Sequence, residues 1–219
     1  SDYNAQLLPL IVGRLADQAP RVQSAAAVAA AGMCTQLQQA VLLSHAQELL
    51  SALLALLGSA ATRNFVAGAV AGALTSICRR AGAAVGSTVH AAAMPLLRQR
   101  LAHAVASKLP WLVDALVEAM GALVHAAGAS VVAADAHSLT DIKSLLGLLM
   151  TDGIHLTRCG GDMTESGEAT VHATLATYAA LVGEPFVAAL RQVMPTLLIA
   201  AAVDPDFSIK HVEEEAEED

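Results

Sequence analysis

Two kinds of apolar helix alternate along the chain. Between leucine-rich segments such as "QLLPLIVGRL" from Gln6 and "AAAMPLLRQRL" from Ala91 lie segments rich in alanine and glycine. These small-residue segments are Arg21 to Leu37, Thr62 to Arg80, Leu109 to Ala127 and Glu168 to Val182. Apolar residues that recur every three to four positions place an apolar stripe on a helix. The pattern therefore predicts helix pairs, each with one small-residue member and one leucine-rich member.

A related motif recurs in the leucine-rich helices. It occurs as "LLPLI" at Leu7, "LLSAL" at Leu49, "AMPLL" at Ala93, "LLGLL" at Leu145 and "VMPTL" at Val193. The central residues of these motifs are 42, 44, 52 and 48 residues apart, and a period in the forties is typical of helix-pair repeats. The central prolines of three motifs are predicted to occupy a first helical turn or to kink the helix. We therefore predict an all-α protein, an α-α superhelix of about four to five helix pairs.

Turn residues predict the ends of the helices. A glycine follows three of the small-residue helices, where a left-handed C-terminal residue is favoured, at Gly82, Gly128 and Gly183. Ser107, three residues before Pro110, is predicted to be an N-cap. Ser138 and Asp141 have the spacing of a capping box.

The third small-residue helix shows two faces. Its apolar stripe is predicted to consist of Leu112, Leu116, Ala119 and Leu123. Asp114, Glu118 and His125 share another face of the same helix. We therefore expect one side of this helix to pack and the other to meet water.

Composition restricts the classes of function. Hydrophobic residues make up 55% of the 219 residues and aromatic residues 3%, so helix formers dominate. Three widely spaced cysteines, Cys34, Cys78 and Cys159, predict reduced thiols in a cytosolic or nuclear protein. The longest uncharged run, Val22 to Gln47, is interrupted by glutamines and a histidine, so no membrane span is predicted.

The negative charge is concentrated at the C-terminus. The net charge is -8, and residues 204–219 hold eight acids and one lysine, a net of -7, which leaves -1 for residues 1–203. The basic pairs at 79–80 and 98–100 are too sparse for a nucleic-acid-binding stripe, so direct nucleic-acid binding is not expected. The densest acids are Glu213, Glu214, Glu215, Glu217, Glu218 and Asp219. This tail is predicted to be disordered and to act as a competitor for basic ligands, as an intramolecular regulator, or only as a solvated end.

No constellation of residues points to catalysis. His155 and Cys159 stand near Asp162, but no second pair with metal-ligand spacing follows. The eight histidines include no HExxH pair, and no glycine-rich phosphate loop follows a predicted strand. No nucleophile and base are placed together by the pattern. We therefore predict a protein that is not an enzyme and needs no metal or cofactor.

Two stretches of the chain resemble a family of transport receptors. "DQAPRVQSAAAVAAAGM", from Asp17 to Met33, resembles the Asp, Pro, Arg-Val and small-residue run that opens a HEAT repeat. "YAALVGEPFVAALRQVMPTLLIAAAVDPDF", from Tyr178 to Phe207, resembles a stretch of the karyopherin-β (importin-β) nuclear transport receptors, closest to the importin beta-3 branch. The helix "DIKSLLGLLM" and the polar segment after it follow the same order as in that branch. The resemblance implies a middle fragment of an armadillo-like HEAT solenoid.

The resemblance also implies a division of the chain. Residues 1–203 form the solenoid, with a half repeat over 1–19 and repeats over 20–58, 59–106, 107–151 and 165–203. Residues 152–167 form a polar inter-helix loop and residues 204–219 the acidic tail.

The function implied by the resemblance is nuclear import. Basic localisation segments of cargo would bind a concave wall of second helices, with Glu48, Gln99, Asp141 and Gln192 facing them. Grooves between the first helices, whose outer face carries Asp114, Glu118 and His125, would accept Phe-Gly repeats of nucleoporins. Ran-GTP would bind repeats outside this chain, and the protein would move between cytoplasm and nucleus through the pore, without membrane insertion. The alternatives are a HEAT-repeat scaffold subunit of a multiprotein complex and an alanine-rich membrane protein.

Overall fold

The computed structural model describes residues 2–150 and 164–191, which form helices joined by short connections. The helices are α1 (Asp2–Leu15), α2 (Pro20–Gln36), α3 (Gln39–Gly58), α4 (Asn64–Ala81), α5 (Ala83–Ala106), α6 (Pro110–Ala127), α7 (Ala129–Ala134), α8 (Ser138–Met150) and α9 (Thr164–Val182). Residues 184–191 are also helical. No strand occurs in these two ranges, so the all-α prediction is confirmed there.

The small-residue helices of the sequence are α2, α4, α6 and α9. Three of them are each followed by a glycine with positive φ, at 56° for Gly82, 79° for Gly128 and 67° for Gly183. These glycines end the helices as predicted, because an L side chain is strained in that region. α9 begins at Thr164, so the last four residues of the predicted polar loop are helical. The loop residues 152–163 lie outside the described ranges.

The predicted N-terminal caps are wrong. Ser107 follows the end of α5, and α6 begins after Leu109 without a side-chain cap. The hydroxyl of Ser138 donates instead to the Val132 carbonyl oxygen at 2.6 Å, which ties the start of α8 to α7. The carboxylate of Asp141 points to other helices, as described below. A cap motif in a sequence competes with tertiary partners, and here those partners prevail.

Two of the motif prolines lie inside helices. Pro9 is in α1 and Pro95 is near the middle of α5, so neither occupies a first turn. Pro95 removes one backbone donor from α5, which nevertheless runs for 24 residues. Pro195 lies outside the described residues. Pro20 and Pro110 occupy the first turns of α2 and α6, and Pro185 is the second residue of the helical segment 184–191.

The small-residue helices pack against one another in chain order. α2 packs on α4, α4 on α6, and α6 on α9. Each leucine-rich helix packs on the next small-residue helix, as α1 does on α2, α3 on α4, α5 on α6 and α8 on α9. The buried alanines of α2, Ala26, Ala27 and Ala30, allow helix axes to approach closely. Small residues therefore serve helix packing in this part of the chain.

Three arginines make hydrogen bonds between successive helix pairs, and in each case the bonded residues are the same number of positions apart. Arg80 donates to the Leu37 carbonyl at the end of α2, 43 residues away. Arg100 donates to the Leu57 carbonyl at the end of α3, also 43 residues away. Arg98 reaches Asp141 over the same 43 residues. A cation at a helix C-terminus satisfies carbonyls that have no partner inside the helix.

α6 lies at the centre of the core. The predicted stripe of Leu112, Leu116, Ala119 and Leu123 is fully buried, as predicted. The expectation that the opposite side meets water is wrong for most of the helix, because α4, α5 and α9 surround it. Val117 and Val124 are also fully buried, and Asp114 and Glu118 are half-buried.

Two helices of the described chain are long and apolar enough to cross a membrane, judged by length and composition alone. They are α3, with a mean hydropathy of 1.7, and α6, with 1.2. The prediction of no membrane-like segment overlooked α3, in which Glu48 is the one charged residue. Within the structure 39% of the α3 window and 56% of the α6 window are buried. For α6, the packing of α4, α5 and α9 around it accounts for its apolar composition.

Candidate functional site

A partly buried ionic cluster joins α5 to the start of α8. The Arg98 guanidinium, from α5, makes two hydrogen bonds to the Asp141 carboxylate, both at 2.7 Å. It also donates to Asp135, between α7 and α8, at 2.6 Å. Two parallel N–H donors on one carboxylate form the strongest ion-pair geometry available to arginine. Arg98 therefore holds two carboxylates, one from the connection between α7 and α8 and one from the first turn of α8.

Tyr178 connects α9 to the same cluster. Its side chain is fully buried and its hydroxyl donates to Asp141 at 3.0 Å. Burial, together with the neighbouring Asp141 carboxylate, raises the pKa of the Tyr178 hydroxyl far above its ordinary value. Burial alone would raise the pKa of Asp135 as well. The hydrogen bond from the His137 backbone N–H and the Arg98 guanidinium outweigh burial and lower it.

His90 is the histidine next to this cluster. It is buried, and its Nε2 lies 3.9 Å from an Asp135 oxygen with no hydrogen-bond partner in the described structure. Burial lowers the pKa of His90, and the positive charge of Arg98 lowers it further. The carboxylates of Asp135 and Asp141 act in the opposite direction without outweighing burial. The folded protein therefore keeps this imidazole neutral more readily than the unfolded chain does.

We expect stability to fall as the pH drops through the ordinary histidine range. The unfolded chain protonates His90 near pH 6.5, whereas the folded chain does so only at lower pH. Between the two pKa values the unfolded state binds more protons, so acidification favours unfolding. Urea unfolding of the wild type and of His90→Gln, at several pH values between about 7 and 5, tests this. The prediction fails if the variant retains the same slope in this interval.

The predicted cargo-facing residues have different surroundings. Glu48 on α3 and Gln99 on α5 are exposed. Gln99 lines a cavity of about 510 Å³ at the start of α4. Asp141 is 3% exposed and committed to Arg98 and Tyr178, so its assignment to an open cargo surface is wrong. Gln192 lies outside the described residues, as do all eight acids of the predicted tail.

Two of the three predicted outer-face residues lie at the same groove. Glu118 and His125 line a cavity of about 420 Å³ between α6 and α9, whose α9 side includes Ala173 and Thr177. Glu118 also pairs with Arg79 of α4 at 2.9 Å. Asp114 does not line this cavity, and its Oδ1 is buried without a hydrogen-bond partner among the described residues.

The leucine-rich helices carry few exposed acids. Of the described side chains of α1, α3, α5 and α8, Glu48 is the one carboxylate that is exposed. The same helices carry Arg14, Arg100 and Lys143, which are exposed or half-buried. A wall formed by these helices therefore has more positive than negative side chains in its described part.

The two described cysteines are free and buried. Burial raises the pKa of Cys34 to about 11 and that of Cys78 to about 12. Cys159, His155 and Asp162 lie outside the described residues. Within residues 2–150 and 164–191 no three His, Cys, Asp or Glu side chains form a group that could hold a metal ion.

We expect both buried thiols to resist alkylation. A thiol reagent reacts with the thiolate, which is scarce at neutral pH for a thiol of raised pKa and is also inaccessible here. In native buffer, Cys34 and Cys78 should remain unmodified over a time in which both react completely in denaturant. Mass spectrometry of the corresponding peptides measures this. Rapid labelling of Cys34 in the native chain would contradict the burial.

The sequence interpretation missed the role of Arg98. It treated Arg98 and Arg100 as a sparse basic pair, whereas each binds a group 41 to 43 residues away. The signal that could have found this is the separation of Arg98 from Asp141, which matches the motif period of the sequence.

Comparison of the chain with family models, with curated proteins and with solved structures found no match.

Proposed function

We propose that this chain is a protein-binding segment of a helical-repeat solenoid. The observation that carries the proposal is the packing of α2, α4, α6 and α9 on one another in chain order. The recurrence of hydrogen bonds between residues 41 to 43 apart supports it. Solenoids of this kind present long surfaces on which other proteins bind, and small changes between repeats add up to large changes of curvature.

The first candidate function is that of a nuclear import receptor segment of the karyopherin-β type. The sequence resemblance over 17–33 and 178–207 motivates it. The groove between α6 and α9, lined by Ala173 and Thr177 as well as Glu118 and His125, supports a binding place for phenylalanine side chains of nucleoporins. Glu48 on α3 supports the attraction of lysine-rich cargo, because opposite charges accelerate association.

The second candidate is a scaffold subunit of a multiprotein complex. The specific observation in its favour is the charge of the leucine-rich helices α1, α3, α5 and α8. Their described side chains include the basic Arg100 and Lys143 but a single exposed acid, Glu48. A basic peptide gains little attraction from such a surface. A folded partner that packs on apolar and neutral positions does not need that attraction.

Binding of defined peptides distinguishes the two candidates. The complete chain is titrated with a fluorescent lysine-rich peptide and with a Phe-Gly repeat peptide, at low and at high salt. An import segment binds both, and only binding of the lysine-rich peptide falls at high salt. Glu48→Lys should weaken binding of the basic peptide more than Glu118→Lys does, because Glu118 is a partly exposed acid of the small-residue helix α6. Failure of both peptides to bind would refute the import candidate and leave the scaffold.

A further inference from the structure

The cavity at the start of α4 is lined by two arginines and a histidine, without a carboxylate. Its walls include Arg63, Arg100 and His103, with Asn64 and Gln99 beside them. Its volume of about 510 Å³ exceeds that of a single small ion. The chain forms this cavity where the turn after α3 meets α5. Its lining thus differs from the surface for basic cargo on which the resemblance placed Gln99.

Neither arginine of this cavity forms an ion pair with a side chain that the structure describes. Arg100 donates to the carbonyl oxygens of Leu57 and Ser59, which hold its guanidinium in place but leave its charge uncompensated. Arg63 is exposed and makes no ion pair with a described side chain. By contrast, Arg79 and Arg98 each bind a carboxylate. Unpaired arginines around a cavity attract anions.

The first turn of α4 adds to the positive potential. Arg63 is the N-cap position, and no side chain caps the helix there. The first backbone N–H groups of a helix have no partner within the helix, and they carry the positive end of its dipole. Asn64, in this first turn, also lines the cavity. The arginines and the helix terminus thus favour the same sign of ligand.

We propose that this cavity binds a carboxylate-rich peptide segment. Arginine pairs with carboxylates through two parallel N–H donors, and the cavity has room for more than one such group. The sequence of this chain contains a segment of that chemistry, "HVEEEAEED" at 211–219, and another protein can supply a similar one. The ligand is therefore opposite in charge to import cargo, so the inference does not rest on the proposed function.

The test uses the complete chain and a labelled peptide with the sequence of residues 211–219. Fluorescence polarisation measures binding to the wild type, to Arg63→Gln and to Arg21→Gln. Arg21 is an exposed arginine of α2 that does not line this cavity, so its variant matches the change in net charge. We expect Arg63→Gln to weaken binding about five-fold or more and Arg21→Gln to leave it within about two-fold. Circular dichroism checks that both variants keep the helical content.

Three further arms identify the ligand and its source. A peptide with glutamine and asparagine in place of the acids should not bind. Inorganic phosphate replaces the peptide in a second arm, and binding of phosphate alone with the same dependence on Arg63 would refute a peptide site. In the third arm the acids at 213–219 of the chain itself are changed to their amides. Tighter peptide binding by that variant assigns the site to the chain's own tail, whereas unchanged binding assigns it to another protein.

The proposal is overturned if Arg63→Gln and Arg21→Gln bind the peptide with equal affinity. In that case the peptide responds to net charge alone, and the cavity has no part in it. Absence of measurable binding to the wild type overturns it as well, provided that the variant with the neutralised tail also fails to bind.

Discussion

Replacement of Arg98 by alanine is expected to lower the free energy of unfolding by about 3 kcal/mol or more. The Arg98 side chain is 21% exposed, and the side chains of its partners Asp135 and Asp141 are 17% and 4% exposed. Removing it leaves two carboxylates in a partly desolvated site without their cation. An uncompensated buried charge is costly, because the protein interior does not replace the solvation that water provided.

Urea unfolding of Arg98→Ala tests this expectation, with Arg79→Ala as the control variant. Arg79 pairs with Glu118 at 2.9 Å, but its side chain is 64% exposed. An exposed pair contributes at most about 1 kcal/mol, so this variant controls for the loss of an arginine and of an ion pair. If the two variants lose equal stability, the cluster has no special importance. A second readout is the tyrosine near-ultraviolet signal, because Tyr178 binds the same Asp141 carboxylate.

Replacement of Gly86 by alanine is expected to destabilise the protein by about 2 kcal/mol or more. Gly86 is buried in α5, where a Cβ would overlap the Ala126 carbonyl and lie 2.7 Å from the Ala127 backbone nitrogen of α6. Backbone atoms do not move aside as a flexible side chain does, so α5 and α6 must separate. The higher helix propensity of alanine offsets only about 1 kcal/mol of this cost.

Gly32→Ala provides a control of opposite sign. Gly32 lies in α2 and is exposed, and a Cβ built there would meet nothing within 4 Å. Alanine should therefore stabilise the chain by about 0.5 to 1 kcal/mol through helix propensity alone. Thermal and urea unfolding measure both variants. A stabilising effect of Gly86→Ala would show that α5 and α6 do not approach each other as closely as described.

These two results bear on the proposed solenoid differently. Arg98 and its partners connect α5, α8 and α9, so their loss should loosen the C-terminal helices of the described chain first. Gly86 determines the distance between α5 and α6, which belong to successive predicted helix pairs. In a repeat stack each pair contacts its neighbours, so local damage spreads through those contacts. Hydrogen exchange of α8 and α9 in Arg98→Ala would locate the effect.

The candidate site was only partly accessible from the sequence. Exposed positions such as Glu48 and Gln99 follow from helix periodicity, because polar residues occupy the side that does not pack. Asp141 does not follow from it, since a carboxylate at that position suits a helix start, a solvated surface or an ion pair equally well. The structure places Arg98 next to it, and that contact decides its role.

The sequence by itself determined the helical class, the alternation of small-residue and leucine-rich helices, and the glycines that end three of them. Those features depend on local backbone energetics and on the spacing of apolar residues, which neighbouring residues fix. The tertiary structure alone decided that α6 is enclosed, that Arg98 binds Asp141, and that Gly86 must lack a side chain. These outcomes depend on the distances between helices that are far apart in the chain, and no local pattern encodes such distances.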